Sequence, residues 1–191
     1  MRLLLTSDSV LSQRAYAFRK TLFSRKYGTD FPEDDGAWTH DTTWILAFDE
    51  TESIVGTTRL LHDRRSRGSA FSLRASSVMR LPLPDHECLE IATVSVASQL
   101  GGATVLRAMW SLIPGFCYSR GLTYVCGIVD ADFFSQLSRK RGTGGSICIA
   151  MSDARVALTV AAGPLYVPEY GIVRYAVGGY VEPVSAGAMA A

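Results

Sequence analysis

Cys88-Leu89-Glu90-Ile91-Ala92-Thr93-Val94-Ser95-Val96-Ala97 runs directly into Ser98-Gln99-Leu100-Gly101-Gly102-Ala103-Thr104. The first ten residues are dominated by β-branched and other apolar side chains and predict a strand. The next five predict a glycine-bearing turn, and a helix opens near Ala103. A strand that turns through glycines into a helix leaves backbone N–H groups exposed at the helix start, where an anionic group is favoured. The glycines let such a group approach closely. Glu90 is the one acid in this strand, and period-two alternation puts it on a face with Ala92, Val94 and Val96. A carboxylate buried there has a raised pKa and can act as a general base near neutrality. On an edge strand the same Glu would face solvent, and the turn would be a plain strand–helix connection.

Outward from this stretch the chain alternates strands and helices. Residues 2–6 predict a strand, and 9–27 predict a helix in one or two pieces. Leu11, Ala15, Phe18, Leu22 and Phe23 recur there at helical spacing, with Arg14, Arg19, Lys20, Arg25 and Lys26 on the polar side. Gly28 is a natural stop. Residues 29–42 form an acidic loop, and 43–49 and 53–61 a β-hairpin around Asp49-Glu50-Thr51-Glu52. Residues 62–87 look irregular. After the turn, Val105, Met109, Leu112 and Phe116 share a helix face that Pro114 should kink. A strand follows over 122–129, then a helix from Asp132 to Gly142. Two strands follow over 145–151 and 155–162, and then a Gly/Pro/Tyr-rich stretch. The order predicts a mixed α/β domain on one sheet, spanning 1–183, with 184–191 a flexible tail.

Composition narrows the function classes. The chain has 191 residues, 48% of them apolar and 19% charged. That is ordinary globular usage with room for a core. With 19 Lys plus Arg against 18 Asp plus Glu, the net charge is +1. Neither wholesale nucleic-acid binding nor an acidic tail is implied. The four cysteines, Cys88, Cys117, Cys126 and Cys148, form no C-x-x-C pair, and the histidines are His40, His62 and His86. A metal site is not expected, and buried thiols suit a reducing compartment. Residues 1–8 hold too short an apolar stretch for a signal peptide, and no run of about 18 apolar residues exists to cross a membrane. The expected location is the cytoplasm. The charges are unevenly distributed. Acids gather over 30–41, whereas 64–84 carries only Arg64, Arg65, Arg67, Arg74 and Arg80 until Asp85.

The turn at 99–104 resembles the acyl-donor loop of GNAT-type acyltransferases, Gln/Arg-x-x-Gly-x-Gly/Ala. Gln99 and Gly102 match it, and Thr104 stands at its last position. A longer set of motifs is similar to the LuxI-type acyl-homoserine-lactone synthases. The family's helix pattern Arg-x-x-x-Phe appears as Arg19 and Phe23. Its acidic loop appears as Glu33-Asp34-Asp35-Gly36-Ala37-Trp38, with Trp44 opening the next strand. Its Gly-x-x-Arg-Leu-Leu strand is Gly56-Thr57-Thr58-Arg59-Leu60-Leu61. A lone Phe before the central strand matches Phe71, and the central Glu matches Glu90. Arg139-Lys140-Arg141-Gly142 and Ile147-Cys148-Ile149-Ala150 follow the late pattern. The resemblance spans roughly residues 10–162. It departs from the family where a Trp is Thr29, a third acid is Trp38, and the Arg after the central Glu is Thr93. That last change removes a rigid donor fork. Asp41 is the nearest acid left to stand in for the lost one.

The resemblance implies a GNAT-like α/β fold, with one mixed, mostly antiparallel sheet flanked by helices. It implies transfer of an acyl group from acyl carrier protein or acyl-CoA to the amine of S-adenosylmethionine. Lactone closure and release of methylthioadenosine follow, giving a quorum-sensing signal made in a bacterial cytoplasm. No tightly bound cofactor is implied, and a monomer or weak dimer is expected. Glu90 would take the amine proton, and backbone N–H groups near Val94 and Val96 would receive the oxyanion. Glu33 and Asp35 suit the substrate's positive charges, and Arg19 or Arg59 its carboxylate. Phe23 and Trp38 would cover it. Phe71, Ser95, Ala97, Gln99, Gly102, Met109, Trp110, Tyr124 and Cys126 would line the acyl donor and acyl pocket. The arginines of 64–80 with Arg139, Lys140 and Arg141 would dock the acidic donor; RNA is not expected, because those arginines are not interleaved with aromatics. Two other readings stay open: a GNAT-like N-acyltransferase of the N-acyl amino acid type, and a silent relative that binds without turnover.

Overall fold

The computed structural model describes residues 1–28, 42–62, 88–97, 101–130, 146–150, 154–159, 164–167 and 172–183. The chain divides into two compact units. One comprises Met1–Leu61 with Ile91–Leu112, and the other His62–Glu90 with Ile113–Ala191.

The first unit contains β1 (Arg2–Thr6), α1 (Ser9–Tyr27), β2 (Thr42–Phe48), β3 (Ile54–Leu61), most of β4 (Cys88–Val96), and α2 (Gly102–Trp110). The strands lie side by side in the order β1-β2-β3-β4. β1 and β2 are antiparallel, with Thr6 opposite Trp44. β2 and β3 form the predicted hairpin, with Trp44 opposite Arg59 and Leu46 opposite Thr57. Asp49 closes its turn, its carboxylate accepting from the Thr51 N–H (2.8 Å), the Thr51 hydroxyl (2.8 Å) and the Ser53 N–H (3.0 Å). These bonds favour the charged carboxylate and hold its pKa below the usual range, the Thr51 hydroxyl contributing most.

α1 is one continuous helix. Asp8 caps its start by accepting the Leu11 N–H at 2.9 Å. Gly28 ends it in the left-handed region, φ 66°, returning its N–H to the Ser24 carbonyl. Arg25 and Lys26 in the last turn oppose the negative end of the helix dipole. Ala15 of this helix packs with Trp44, Leu46 and Phe48, and Leu4, Leu11 and Ile54 close around them. Alternation sends Ile45, Ala47, Gly56 and Thr58 to the opposite face. There, Val105 and Met109 of α2 come so close to Gly56 that no side chain fits.

The helix expected to bend at Pro114 is instead broken. α2 stops at Trp110, and α3 (Ile113–Ser119) begins with Pro114 as its second residue. Proline lacks the N–H that a helix interior needs but loses nothing in a first turn, so a break relieves what a kink would strain.

The second unit holds α3, β5 (Tyr124–Asp130), β6 (Ser146–Ala150), β7 (Ala154–Thr159), β8 (Pro164–Val167) and β9 (Ile172–Pro183). The strand order is β5-β9-β7-β6 and β8 also pairs with β9, all antiparallel. The stretch after Gly163, where no strand was expected, therefore supplies the unit's central strand. β9 has β5 on one edge, and β7 and β8 on the other. Gly178-Gly179 in its middle and Pro164 and Pro168 before it hid the pattern, because strand interiors usually exclude both residue types. Around α3, Phe116 is flanked by the His62 ring, edge-on at 5.4 Å, and by the Arg120 guanidinium at 4.7 Å. Cys117 of this helix is fully buried. The acidic loop, the arginine-rich stretch, the helix expected over 132–142 and the tail 184–191 lie outside the described residues.

Candidate active site

Three charged side chains are buried on described elements: Arg19 (8% exposed) on α1, Arg59 (3%) on β3, and Glu90 (6%) on β4. Charged groups are seldom buried without partners or a task, because removing them from water costs several kcal/mol each, on the order of magnitude typical of ions. The resemblance had marked all three.

Arg59 is held in place by its neighbours. Its Nε and one Nη donate to the Thr42 hydroxyl at 3.4 Å each. Its guanidinium also lies 5.9 Å from the centre of the Trp44 ring, its cross-strand partner. These contacts fix the direction of a planar donor fork that matches a carboxylate. Arg19 follows Ala15 by one helical turn, so it stands on the sheet-facing side of α1 rather than the polar side its charge suggested. Phe23, one turn further, is half-buried. By cross-strand register Thr42, Trp44, Thr57 and Arg59 share the face of the hairpin that α1 covers. This face grades from apolar at Phe48 and Leu46 to polar at Arg59 and Thr42.

Glu90 stands where alternation predicted, inside β4, and is buried rather than facing solvent. Further along that strand, Val94, Ser95, Val96 and Ala97 are partly buried. The Ala97 N–H donates to the Val55 carbonyl at 2.9 Å, so that donor is already committed to the sheet. Gly101 precedes α2 in the left-handed region, φ 67°, with no side chain capping the helix start. The Thr104 N–H returns to the Gly101 carbonyl at 2.7 Å. Gly102 lies against Val96, 3.6 Å from where a Cβ would stand to Val96 Cγ1. The strand before the predicted turn and the helix that Gly101 precedes are both present, and residues 98–100 between them lie outside the described residues.

The residues expected in the acyl pocket fall in different places. Met109 is fully buried against Gly56 and Thr58, its sulfur 3.9 Å from the Thr58 hydroxyl, and Trp110 is buried beside it at the end of α2. Tyr124 opens β5 opposite Tyr180, and Cys126 lies opposite Gly178. Glu33, Asp35, Trp38, Phe71 and Gln99 lie outside the described residues. Thr42 and Thr57 had no motif to flag them; only register places them beside Arg59. Among the described residues no helix is long and apolar enough to cross a membrane, and no group of three or more His, Cys, Asp or Glu is placed to hold a metal ion.

No protein-family model matches the chain, and no curated protein matches it in sequence. Solved structures do. TofI, solved in a ternary complex with an inhibitor and MTA, is 16% identical with TM-score 0.65, over 94% of this chain and 91% of that one. FeeM, an N-acyl amino acid synthase from uncultured soil microbes, is 11% identical with TM-score 0.64, over 94% and 95%. BjaI, a CoA-dependent acyl-homoserine lactone synthase solved with MTA, is 17% identical with TM-score 0.60, over 91% and 77%. BjaI has also been solved with SAM and isopentyl-CoA. The antiparallel strand pairings and these neighbours agree: the chain has the GNAT-like α/β fold found in acyl-homoserine lactone synthases and other acyltransferases.

Proposed function

We propose that the chain is an N-acyltransferase of the LuxI type, which transfers an acyl group from a thioester to the amine of S-adenosylmethionine. The observation that carries this reading is the burial of Glu90 within β4 on a GNAT-like fold, at the position where the family's motif has its central acid. The donor is acyl-CoA or acyl carrier protein; the CoA dependence of BjaI supports the former.

The amine arrives as ammonium and is not nucleophilic until it loses a proton. Glu90 takes that proton, directly or through a water. The amine nitrogen then attacks the thioester carbonyl carbon and the C–S bond breaks, releasing the thiol. Backbone N–H groups near Val94 and Val96 stabilise the oxyanion that forms between these steps. Arg19 and Arg59 bind the carboxylate of the acceptor, Glu33 and Asp35 its positive charges, and Phe23 and Trp38 its apolar parts. The carboxylate oxygen then attacks the carbon bearing the sulfonium, the lactone closes and methylthioadenosine leaves. The sulfonium is a good leaving group, so positioning suffices for this step.

A second reading is favoured by Thr93, which stands where the family has an Arg, and by the likeness to FeeM. In it the acceptor is an amino acid and no lactone forms. Purified chain is incubated with acyl-CoA and S-adenosylmethionine, and the products are read by mass spectrometry. The first reading expects one methylthioadenosine per acyl-lactone, and a Glu90→Gln variant slower by about 100-fold or more. Thioester consumption with amino acids but never with S-adenosylmethionine selects the second. No consumption with either refutes both.

A further inference from the structure

Thr57 carries a hydroxyl with no solvent exposure and no hydrogen-bond partner among the described residues. Buried polar atoms are nearly always satisfied, so an exception calls for a reason. Valine has almost the same shape, is at least as good a strand former, and would leave nothing unsatisfied here. The position of Thr57 supplies the reason. It lies opposite Leu46, at the point where the α1-covered face changes from apolar to polar. It precedes by two residues, on the same face, the guanidinium that Thr42 and Trp44 hold in direction.

We propose that Thr57 is a substrate-binding residue: its hydroxyl donates to the carboxylate of the amine acceptor, beside the Arg59 guanidinium. The acceptor is therefore an amine that keeps a free carboxylate when it binds. This deepens the acyl-transfer reading and rests on it for the identity of the acceptor. Arg59 supplies charge, and Thr57 supplies a short, rigid neutral donor whose χ1 is restricted by β-branching. Sites built to hydrogen-bond a substrate reject analogues lacking that group, because a buried polar atom is then left unpaired.

The test is calorimetric titration of S-adenosylmethionine into the full chain, with wild type, Thr57→Val and Thr57→Ser. Thr57→Val is expected to raise Kd about tenfold, or about 1.4 kcal/mol, while its melting temperature stays the same or rises. Thr57→Ser keeps the hydroxyl and is expected within about twofold of wild type. A decarboxylated analogue is expected to bind wild type and Thr57→Val alike. Equal affinity of wild type and Thr57→Val for S-adenosylmethionine overturns the proposal, as does an equal loss for the analogue or no binding to wild type. Thioester turnover is measured separately. Turnover with Thr57-independent affinity refutes the Thr57 role alone. A tenfold loss of affinity in a chain with no turnover refutes the acyl-transfer reading alone.

Discussion

Gly56→Ala tests the close approach of α2 to β3. A Cβ at residue 56 would lie 2.8 Å from Val105 Cγ1, 3.0 Å from Met109 Sδ and 3.1 Å from Met109 Cε. Carbon atoms are comfortable at about 3.5–4.0 Å, so the contact with Val105 is short by roughly 1 Å. Met109 can adapt, since thioether chains have several soft torsions. Val105 cannot, because its branched Cβ has one strongly preferred helical rotamer. Overpacking of this kind costs about 1–3 kcal/mol. One term opposes it: Gly56 does not have positive φ, so alanine is compatible with its backbone and restricts the unfolded chain, contributing about 0.4–1 kcal/mol. The clash wins, and the net expectation is a loss of about 1–2 kcal/mol. For a chain of this size that lowers Tm by about 2–8 °C, read by thermal unfolding followed by circular dichroism. Combining it with Val105→Ala removes the crowding methyl, so the pair should cost about 1 kcal/mol less than the sum of the single changes. A Gly56→Ala chain as stable as wild type, or strictly additive losses, would refute the packing argument.

Two further outcomes follow from named contacts. Thr42→Val removes the acceptor of two Arg59 N–H groups. Because both bonds are long, the expected cost is at the lower end for bonds to charged groups, about 1–2 kcal/mol in urea unfolding. On the proposed function it should weaken binding of S-adenosylmethionine but leave the KM for the acyl donor unchanged; an equal rise in both would count against a positioning role. Asp49 gives a pH signature in the hairpin turn. Its folded pKa is lowered, first by the Thr51 hydroxyl and then by the Ser53 N–H. Its contribution is therefore fully present above the unfolded value of about 3.9 and is lost as pH falls through the folded value. Asp49→Asn should flatten the acid limb of the stability profile below about pH 4; an unchanged acid limb would contradict it.

The hairpin and the strand through Glu90 were legible because each is local. Alternation, turn residues and glycines act within a few positions of one another. Glu90 stood out as an acid in an apolar alternating run, but the sequence left open whether it is buried or faces solvent, and the structure buries it. The site around Arg59 was only half legible. A motif pointed to Arg59, but Thr42 and Thr57 look like any strand threonines. Hairpin register alone turns them onto its face, and a one-residue slip would turn them away. Arg19 is a similar case: its charge assigned it to the wet side of α1, and packing of Ala15 one turn earlier assigned it to the sheet.

Local chemistry thus determined the bounds of β1, α1, the β2–β3 hairpin and β4, and which acid is embedded in β4. Long-range contacts decided the rest. Close packing of Val105 and Met109 against Gly56 is invisible until a helix meets a strand nearly fifty residues earlier. The stretch after Gly163, whose strand formers are interrupted by Gly178-Gly179, became the central strand β9, with β5, β7 and β8 all pairing against it. Propensity differences amount to at most about 1 kcal/mol per residue, and ladders along both edges pair most of the strand's backbone groups, which is the stronger constraint.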